Sequence, residues 1–235
     1  MIIRKPQDKD FPFLHRLWMD AFDEGREEVE HFYATAFSPQ RCLVTQEGGI
    51  VAGLYWMNAF CGERKLAYIY AFAVEKACRG KGVGKQLLRR ALEVLREEGY
   101  AGAVLVPGEE SLQTYYEKLG FRVFGSAFPT VPKEPGLPAK EVPLKEYLCR
   151  RQKLHAALQW EESAFVYLAG FNRLCAAEDW VMALGQEGVQ EFIGDPAKLP
   201  HILYTLNIVS GKKPPVAMVH PFESICLPET FGPMF

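Results

Sequence analysis

The sequence has few of the features that mark membrane, secreted or nucleic-acid-binding proteins. No apolar run among its 235 residues approaches the roughly 18 to 20 residues that a membrane span needs. The first ten residues carry charges where a signal peptide has its apolar segment. The formal net charge is -2, so the composition favours neither nucleic acid nor an anionic membrane as a partner. We therefore expect a cytoplasmic protein that binds neither of them.

The spacing of metal ligands is also missing from the sequence. The six cysteines stand singly, without a C-x-x-C pair and without a histidine at ligand spacing. The five histidines show no mutual spacing that would suit a metal ion. We expect no metal site, and we expect the cysteines to behave as small hydrophobic side chains in a reducing compartment.

What the sequence does contain is a mixture of strand and helix patterns. Apolar residues at helical spacing predict helices at residues 13–22, 27–37, 83–98 and 111–119. Shorter apolar runs bounded by turn residues predict strands at 1–4, 41–46, 50–60, 66–74, 101–106 and 121–124. This mixture predicts an α/β (α+β layered) fold in which helices flank a mixed sheet.

A proline-rich stretch divides the chain. Its prolines favour an extended connector between two folded regions, and they are Pro129, Pro132, Pro135, Pro138 and Pro143. We therefore predict a first domain at residues 1–125, a linker at 126–146 and a smaller α+β domain at 147–235. In this smaller domain the patterns predict helices at 148–158 and 199–209 and strands at 164–169, 179–184, 189–193 and 216–221.

The most informative segment is the basic, glycine-rich loop Arg79-Gly80-Lys81-Gly82-Val83-Gly84-Lys85, between a predicted strand and an amphipathic helix. A helix start leaves backbone N–H groups unpaired and carries partial positive charge, so it favours a phosphate oxygen. Glycines let the backbone come close to a ligand and permit positive φ. Arg79, Lys81 and Lys85 add charge for a pyrophosphate or a 3′-phosphate. The loop therefore predicts a site for a phosphate-bearing ligand.

Two other phosphate-binding motifs fail on spacing. A Walker A loop needs a glycine six positions before its lysine and a serine or threonine after it, but Arg79 and Gln86 hold those positions. The dinucleotide pattern G-x-G-x-x-G needs its third glycine where Lys85 stands or, in the other register, Leu87. The loop thus matches neither a P-loop nor a Rossmann fingerprint.

At these residues the chain resembles the GNAT superfamily of acetyl-CoA-dependent acetyltransferases. The family signature, Gln or Arg, two residues, Gly, one residue, then Gly or Ala, reads here as Arg79-x-x-Gly82-x-Gly84. The segment Ala71-Phe72-Ala73-Val74 is similar to the preceding strand of the family, and Tyr116-Glu117-Lys118-Leu119-Gly120-Phe121 is similar to its Tyr-x-x-x-Gly-Phe element. The resemblance covers residues 1 to about 125 and implies a mostly antiparallel central sheet. Some members carry a degenerate GNAT-like second unit, and the element order after residue 160 is compatible with one.

The resemblance implies direct transfer of an acetyl group from acetyl-CoA to an acceptor amine, either a small molecule or a protein amino group. It implies that the backbone of Phe72, Ala73 and Val74 holds the pantetheine arm, and that the Val74 N–H faces the thioester oxygen. The loop from Arg79 to Lys85 would hold the phosphates. Tyr116 aligns with the general acid of the family, and Tyr115 is the alternative. Each tyrosine shares a helical face with Leu112 and Leu119, so core packing is a further interpretation of either one.

Two positions depart from the family pattern. Many members have Asn in the loop that here reads Pro107-Gly108-Glu109-Glu110-Ser111; Ser111 is interpreted as a helix N-cap, and its hydroxyl is the candidate to replace that Asn. In some members, a Glu at the position of Tyr68 acts as the general base. Glu63, Glu75, Glu109 and Glu110 are nearby in sequence but are typical of solvated loop charges, and a water chain is a further alternative. The general base therefore stays unassigned.

Two functions follow from these observations, an N-acetyltransferase or a non-catalytic acyl-CoA-binding regulatory protein that kept only the phosphate-binding loop. The early helices would supply the acceptor pocket, from Trp18, Phe22, His31, Phe32 and Tyr33, although the same spacing is typical of core residues. The role of the C-terminal domain stays open. It would either cover the site or join two copies into a homodimer, in which the apolar tail 231–235 would take part.

Overall fold

The computed structural model describes residues 1–22, 24–123, 140–154, 159–185, 188–195 and 217–222. The helices are α1 Phe11–Phe22, α2 Arg26–Thr35, α3 Val83–Glu97, α4 Gln113–Glu117, α5 Leu144–Lys153 and α6 Glu162–Phe171. The strands are β1 Ile2–Arg4, β2 Cys42–Gln46, β3 Ile50–Cys61, β4 Arg64–Val74, β5 Gly102–Leu105, β6 Arg122–Val123, β7 Lys140–Glu141, β8 Gln159–Trp160, β9 Arg173–Ala176, β10 Val181–Gly185, β11 Gly188–Ile193 and β12 Met218–Pro221.

The central sheet has the strand order β1-β2-β3-β4-β5-β12-β6. Strand β8 pairs with Ala59 and Phe60 of β3, beyond the part of β3 that pairs with β2. All of these neighbours are antiparallel except β4 and β5, which run parallel. A second, smaller antiparallel sheet has the order β11-β10-β9-β7. The predicted fold class, a mixed and mostly antiparallel sheet flanked by helices with a smaller second unit, is confirmed.

The helices cover the two faces of the central sheet with separate hydrophobic clusters. On one face α1, α2 and α6 pack through residues such as Trp18, Phe32 and Phe165. On the other face α3 and α4 contribute Leu87, Leu95 and Tyr116 to a second cluster. The apolar stripe of α3 predicted from its 3.6-residue spacing is buried along its whole length. Since full burial of each leucine contributes roughly 1.5–3 kcal/mol, this stripe fixes α3, and with it the preceding loop, against the sheet.

One strand prediction is wrong. Residues 164–169 belong to helix α6, in which Ala164, Phe165 and Leu168 are buried while Val166 is exposed. A short apolar run fits a buried strand and a buried helix equally well, because periodicity cannot separate them over so few residues. The strand β9 that follows was not predicted.

The C-terminal region of the chain contributes to the central sheet. Strand β12 lies between β5 and β6, with Val219 opposite Val104 and Arg122. Met218 and Val219 are fully buried, one in each core cluster. Secondary structure also begins inside the predicted linker, since β7 and the first turn of α5 precede residue 147. The helix predicted at 199–209 and the tail 231–235 lie outside the described residues.

Within the C-terminal region, α5 is anchored by a buried ion pair. The Arg151 guanidinium donates to both carboxylate oxygens of Glu191, at 3.0 and 2.7 Å, and the Tyr147 hydroxyl donates to Glu191 at 2.5 Å. Arg151 and Glu191 are each about 1% exposed. Because unpaired buried charges are strongly unfavourable, these bonds fix helix α5 on strand β11.

Candidate functional site

The glycine-rich loop connects β4 directly to α3. Gly80 and Gly82 have φ of 76° and 81°, and Gly82 is the N-cap of α3. The first bond of the helix runs from the Gln86 N–H to the Gly82 carbonyl, so the N–H groups of residues 83–85 have no helical acceptor. The Arg79 side chain closes the loop by donating to the Val74 carbonyl at 3.0 Å. The chain thus folds these residues into a glycine-rich helix start, as the sequence predicted; anion binding there stays a prediction.

The loop packs closely against the end of β4. A Cβ atom on Gly84 would lie 3.0 Å from Cγ2 of Val74 and 3.2 Å from Cζ of Phe72, closer than side-chain atoms normally approach. Lys81 and Lys85 are exposed beside this contact. The absence of a side chain at residue 84 therefore lets the amino end of α3 sit directly over the strand that precedes it.

Strand β4 is bulged and separates from β5 near the loop. Gly53 pairs with Ala73 and Tyr55 with Tyr70, so Leu54 alone faces Ala71 and Phe72. Ala71 has a φ of 48°, which a residue with a side chain rarely adopts. Pairing between β4 and β5 covers only Leu66 to Tyr68 on the β4 side. Beyond it, β4 has no β5 partner within the described residues, and the predicted pantetheine-binding residues Phe72, Ala73 and Val74 lie on that edge.

The two tyrosines of α4 occupy different surroundings. Tyr116 is buried in the cluster beneath α3, with its ring centroid 5.7 Å from that of Phe121, and burial raises the pKa of its phenol well above the usual range. Tyr115 is only partly buried, and its hydroxyl lies 3.6 Å from the Cβ position of Gly84. The geometry therefore brings the Tyr115 hydroxyl to the loop, whereas the assignment of Tyr116 as the acid stays a prediction.

Ser111 does not cap a helix. A 3-10 turn covers Glu110–Leu112, and α4 begins only at Gln113, with Leu112 in the N-cap position. The Ser111 hydroxyl instead donates to Glu109 at 3.0 Å. The N-cap interpretation fails because the 3-10 turn moves the N-cap position one residue further along the chain, from Ser111 to Leu112; the role of Ser111 in ligand binding stays a prediction.

On the opposite face of the bulge lies a small aromatic cavity. It is bordered by Ala71 and Ala73 of β4. Of the acceptor-pocket residues predicted from the sequence, Trp18, Phe32 and Tyr33 line this cavity. Phe22 is exposed next to Trp18, and His31 Nε2 lies 3.2 Å from the Tyr167 carbonyl oxygen. The cavity thus reaches the bulged strand from the side of α1 and α2.

A carboxylate that the sequence analysis missed lies among these aromatic rings. Trp18 Nε1 donates to Glu24 Oε2 at 2.6 Å. Burial raises the pKa of Glu24, opposed by this hydrogen bond and reinforced by the neighbouring Glu28. By contrast, Glu63, Glu75 and Glu109 are exposed, and the Glu110 side chain is outside the described residues. The only sequence signal for Glu24 is its place two residues after the end of α1, beside Gly25.

The hydroxyls of Tyr70 and Tyr167 share a hydrogen bond of 3.0 Å next to Glu24. Their rings join that of Trp18, whose centroid lies 5.5 Å from that of Tyr70. We call Trp18, Glu24, Tyr70 and Tyr167 the aromatic–carboxylate cluster. In the described ranges, no group of three His, Cys, Asp or Glu side chains could hold a metal ion, and no helix is both long and apolar enough to cross a membrane.

Comparison with known proteins gives matches of two kinds. The family model described as the acetyltransferase (GNAT) family matches residues 11–121. Rat N-acetyltransferase 8 is 34% identical over 67 residues, which is 28% of this chain and 30% of that protein. Glucosamine 6-phosphate N-acetyltransferase from Trypanosoma brucei brucei is 39% identical over 61 residues, 26% of this chain and 41% of that protein. The matches thus span well under half of the length of these curated relatives.

Among solved structures, a putative acetyltransferase from Pyrococcus horikoshii superposes with a TM-score of 0.71. The superposition covers 100% of this chain and 94% of that one, at 17% sequence identity. At this identity the likeness concerns the fold alone, and it extends over the N-terminal and C-terminal regions alike.

Proposed function

Because residues 11–121 belong to the acetyltransferase (GNAT) family, we propose that this chain is an N-acetyltransferase that moves an acetyl group from acetyl-CoA to an acceptor amine. The observation that carries the proposal is the helix start at Gly82 to Lys85, which is packed against the bulged end of β4. A phosphate site and an open strand edge within one short segment match a ligand that has both a pyrophosphate and an amide-containing arm.

The residues present fit coenzyme A. The N–H groups of residues 83–85 and the side chains of Lys81 and Lys85 would hold the phosphates, while the separated edge of β4 offers backbone groups to the pantetheine amides. Because residue 84 is a glycine, no side chain covers the backbone at this point, and the space that a Cβ would need is taken up by Val74 and Phe72. Acetyl-CoA supplies an activated acyl group as a thioester.

The chain itself would contribute positioning, oxyanion stabilisation and protonation. The Val74 N–H is proposed to donate to the thioester oxygen as charge develops there. As the amine nitrogen bonds to the acyl carbon and the C–S bond breaks, Tyr116 is proposed to donate a proton to the departing sulfur, and the proton that the amine loses passes to solvent. The raised pKa of Tyr116 keeps the phenol protonated at neutral pH. The acceptor amine would approach from the cavity beside Ala71 and Ala73.

The donor proposal is tested by thermal unfolding of the full chain with acetyl-CoA, with CoA and with neither. Saturating ligand at about 100 times its Kd stabilises by about 2.7 kcal/mol, which raises the Tm by several degrees. The double variant Lys81→Ala/Lys85→Ala should bind roughly tenfold more weakly, since each exposed ion pair contributes up to about 1 kcal/mol. Lys145→Ala, an exposed lysine on α5, is the matched control. No stabilisation of the parent chain by either ligand would contradict the proposal.

Release of free thiol with a panel of amines then separates the enzyme from a non-catalytic binder. An acetyltransferase releases CoA only in proportion to acetylated amine, which mass spectrometry of the products detects. A chain that is stabilised by acetyl-CoA but acetylates no amine in the panel would favour the second function, a regulatory acyl-CoA-binding protein.

A further inference from the structure

We propose that the aromatic–carboxylate cluster binds the ammonium group of a primary amine that has an aromatic or aliphatic body. Within it, Glu24 provides the negative charge and the rings of Trp18, Tyr70 and Tyr167 provide the walls. The inference rests on the proposed acetyltransferase function and names the class of its acceptor.

The position of the cluster connects it to the reacting strand. Tyr70 directly precedes Ala71, the bulge residue with positive φ. Trp18, which donates to Glu24, lines the same cavity as Ala71 and Ala73. Trp18 therefore contacts both Glu24 and the cavity that borders the segment of β4 where the thioester is proposed to lie.

Among the described residues, no cation balances the charge of the cluster. Glu24 makes a single hydrogen bond within the described residues, to the neutral indole of Trp18, and no described Lys or Arg lies within salt-bridge distance of it. The charge on α2 that acts on it is that of Glu28, which has the same sign. A carboxylate that is partly withdrawn from water in this way is stabilised by a cationic ligand.

The rings around Glu24 favour a cation with an apolar body. Trp18, Phe32 and Tyr70 pack with centroid distances of 4.6 to 5.5 Å, and aromatic faces attract ammonium groups. Two exposed rings continue this surface, since Phe22 packs against Trp18 and Phe171 against Tyr167. A phosphorylated or carboxylated acceptor would meet repulsion from Glu24 and Glu28. The cluster therefore fits an arylalkylamine or alkylamine better than an anionic acceptor.

The experiment compares 2-phenylethylamine, ethylamine and glucosamine 6-phosphate as acceptors for the full chain. We expect kcat/KM to be highest for 2-phenylethylamine, at least tenfold above ethylamine. Glu24→Gln keeps the size of the side chain and an acceptor for Trp18 but removes the charge. It should raise KM for 2-phenylethylamine about tenfold with kcat changed less than threefold, as for the loss of one charged hydrogen bond. Glu27→Gln, exposed in the first turn of α2, should change neither constant.

A direct binding measurement separates this inference from the donor proposal. Titration calorimetry of 2-phenylethylamine into the CoA-saturated protein should show binding that Glu24→Gln weakens about tenfold, while acetyl-CoA still raises the Tm of the variant as in the parent. Equal KM and equal Kd for the parent and Glu24→Gln, or a preference for glucosamine 6-phosphate, would overturn the inference and leave the donor proposal intact. Absence of stabilisation by acetyl-CoA would instead overturn the proposed function and this inference together.

Discussion

At the scale of single residues, Tyr115 and Tyr116 are the two candidates for protonating the departing sulfur in the proposed reaction. The family pattern selects Tyr116, but its ring is within the core, whereas the Tyr115 hydroxyl lies beside Gly84. Neighbouring residues of a helix point about 100° apart, so only one of the two hydroxyls is expected to face the sulfur.

We expect Tyr116→Phe to lower kcat about 100-fold, within the range that general-acid catalysis contributes, while KM for acetyl-CoA changes little. Tyr115→Phe is the matched control, and it should leave kcat within threefold. Steady-state kinetics across pH 6 to 10 checks both variants. The reverse result, with kcat lost only in Tyr115→Phe, would transfer the role of the acid to Tyr115.

A second residue-scale prediction concerns Asp10 at the start of α1. Arg4 donates to both of its carboxylate oxygens, at 2.6 and 3.1 Å, and the Gln7 N–H donates at 2.7 Å. The hydrogen bond from Arg4 lowers the pKa of Asp10, although burial opposes it. The carboxylate therefore stabilises the fold fully above the ordinary Asp pKa of about 3.9, and this stabilisation is lost as the pH falls through the lowered value.

Asp10→Asn should reduce the free energy of unfolding by about 2 kcal/mol at pH 7. As the pH falls through the lowered pKa, the difference from the parent chain should shrink, since the parent carboxyl then takes up a proton too. Urea unfolding at pH 7 and at a series of acid pH values measures this, and Asp8→Asn, an exposed neighbour, is the control. A difference that stays constant with pH would contradict the assignment of Asp10 as the titrating group.

At the scale of elements, the junction between β4 and α3 depends on the fit at Gly84. Gly84→Ala places a methyl group 3.0 Å from Val74 and 3.2 Å from Phe72, and such overpacking typically destabilises by about 1–3 kcal/mol. Because the helix start must shift to relieve the contact, we also expect weaker binding of acetyl-CoA, by about fivefold or more.

The control for that variant is Gly48→Ala in the turn between β2 and β3. Gly48 has a φ of 73° with open space around its Cβ position, so alanine there brings only backbone strain of about 1–2 kcal/mol. Thermal unfolding with and without acetyl-CoA distinguishes the two positions. If Gly84→Ala loses stability but binds acetyl-CoA like the parent, the close packing at residue 84 serves the fold alone.

At the scale of the whole molecule, the division into residues 1–125, 126–146 and 147–235 stays a proposal. The position of β12 limits how far the first of these regions can be independent of the last. This strand covers β5 on one side and β6 on the other. Without it, the edge of β5 and the buried Val104 would meet water, which favours unfolding or aggregation.

We therefore expect a chain truncated after residue 125 to be unfolded or aggregated, because it lacks the strand that closes its sheet. The full chain should show protected β5 amides in hydrogen exchange, comparable with those of β3. Far-UV circular dichroism and size-exclusion chromatography test the truncated chain. A soluble, folded fragment 1–125 would show that β12 is dispensable and that the N-terminal region folds by itself.

Much of this organisation was determined by the sequence alone. The 3.6-residue spacing of α3, the glycines at 80, 82 and 84 and the Tyr-x-x-x-Gly-Phe element predicted the order of these elements and the glycine-rich turn at the start of α3, because each depends on residues close together in the chain. The fold class followed from the same local patterns.

The tertiary structure decided what depends on contacts between distant residues. It placed α6 rather than a strand at residues 164–169, inserted β12 into the central sheet and brought the Tyr115 hydroxyl to Gly84. It also placed Glu24, which accepts a hydrogen bond from Trp18, where its charge acts on the hydroxyl pair of Tyr70 and Tyr167 from β4 and α6. Such a charge can be recognised only when its burial and neighbours are known, and these are properties of packing, which no local pattern of side chains encodes.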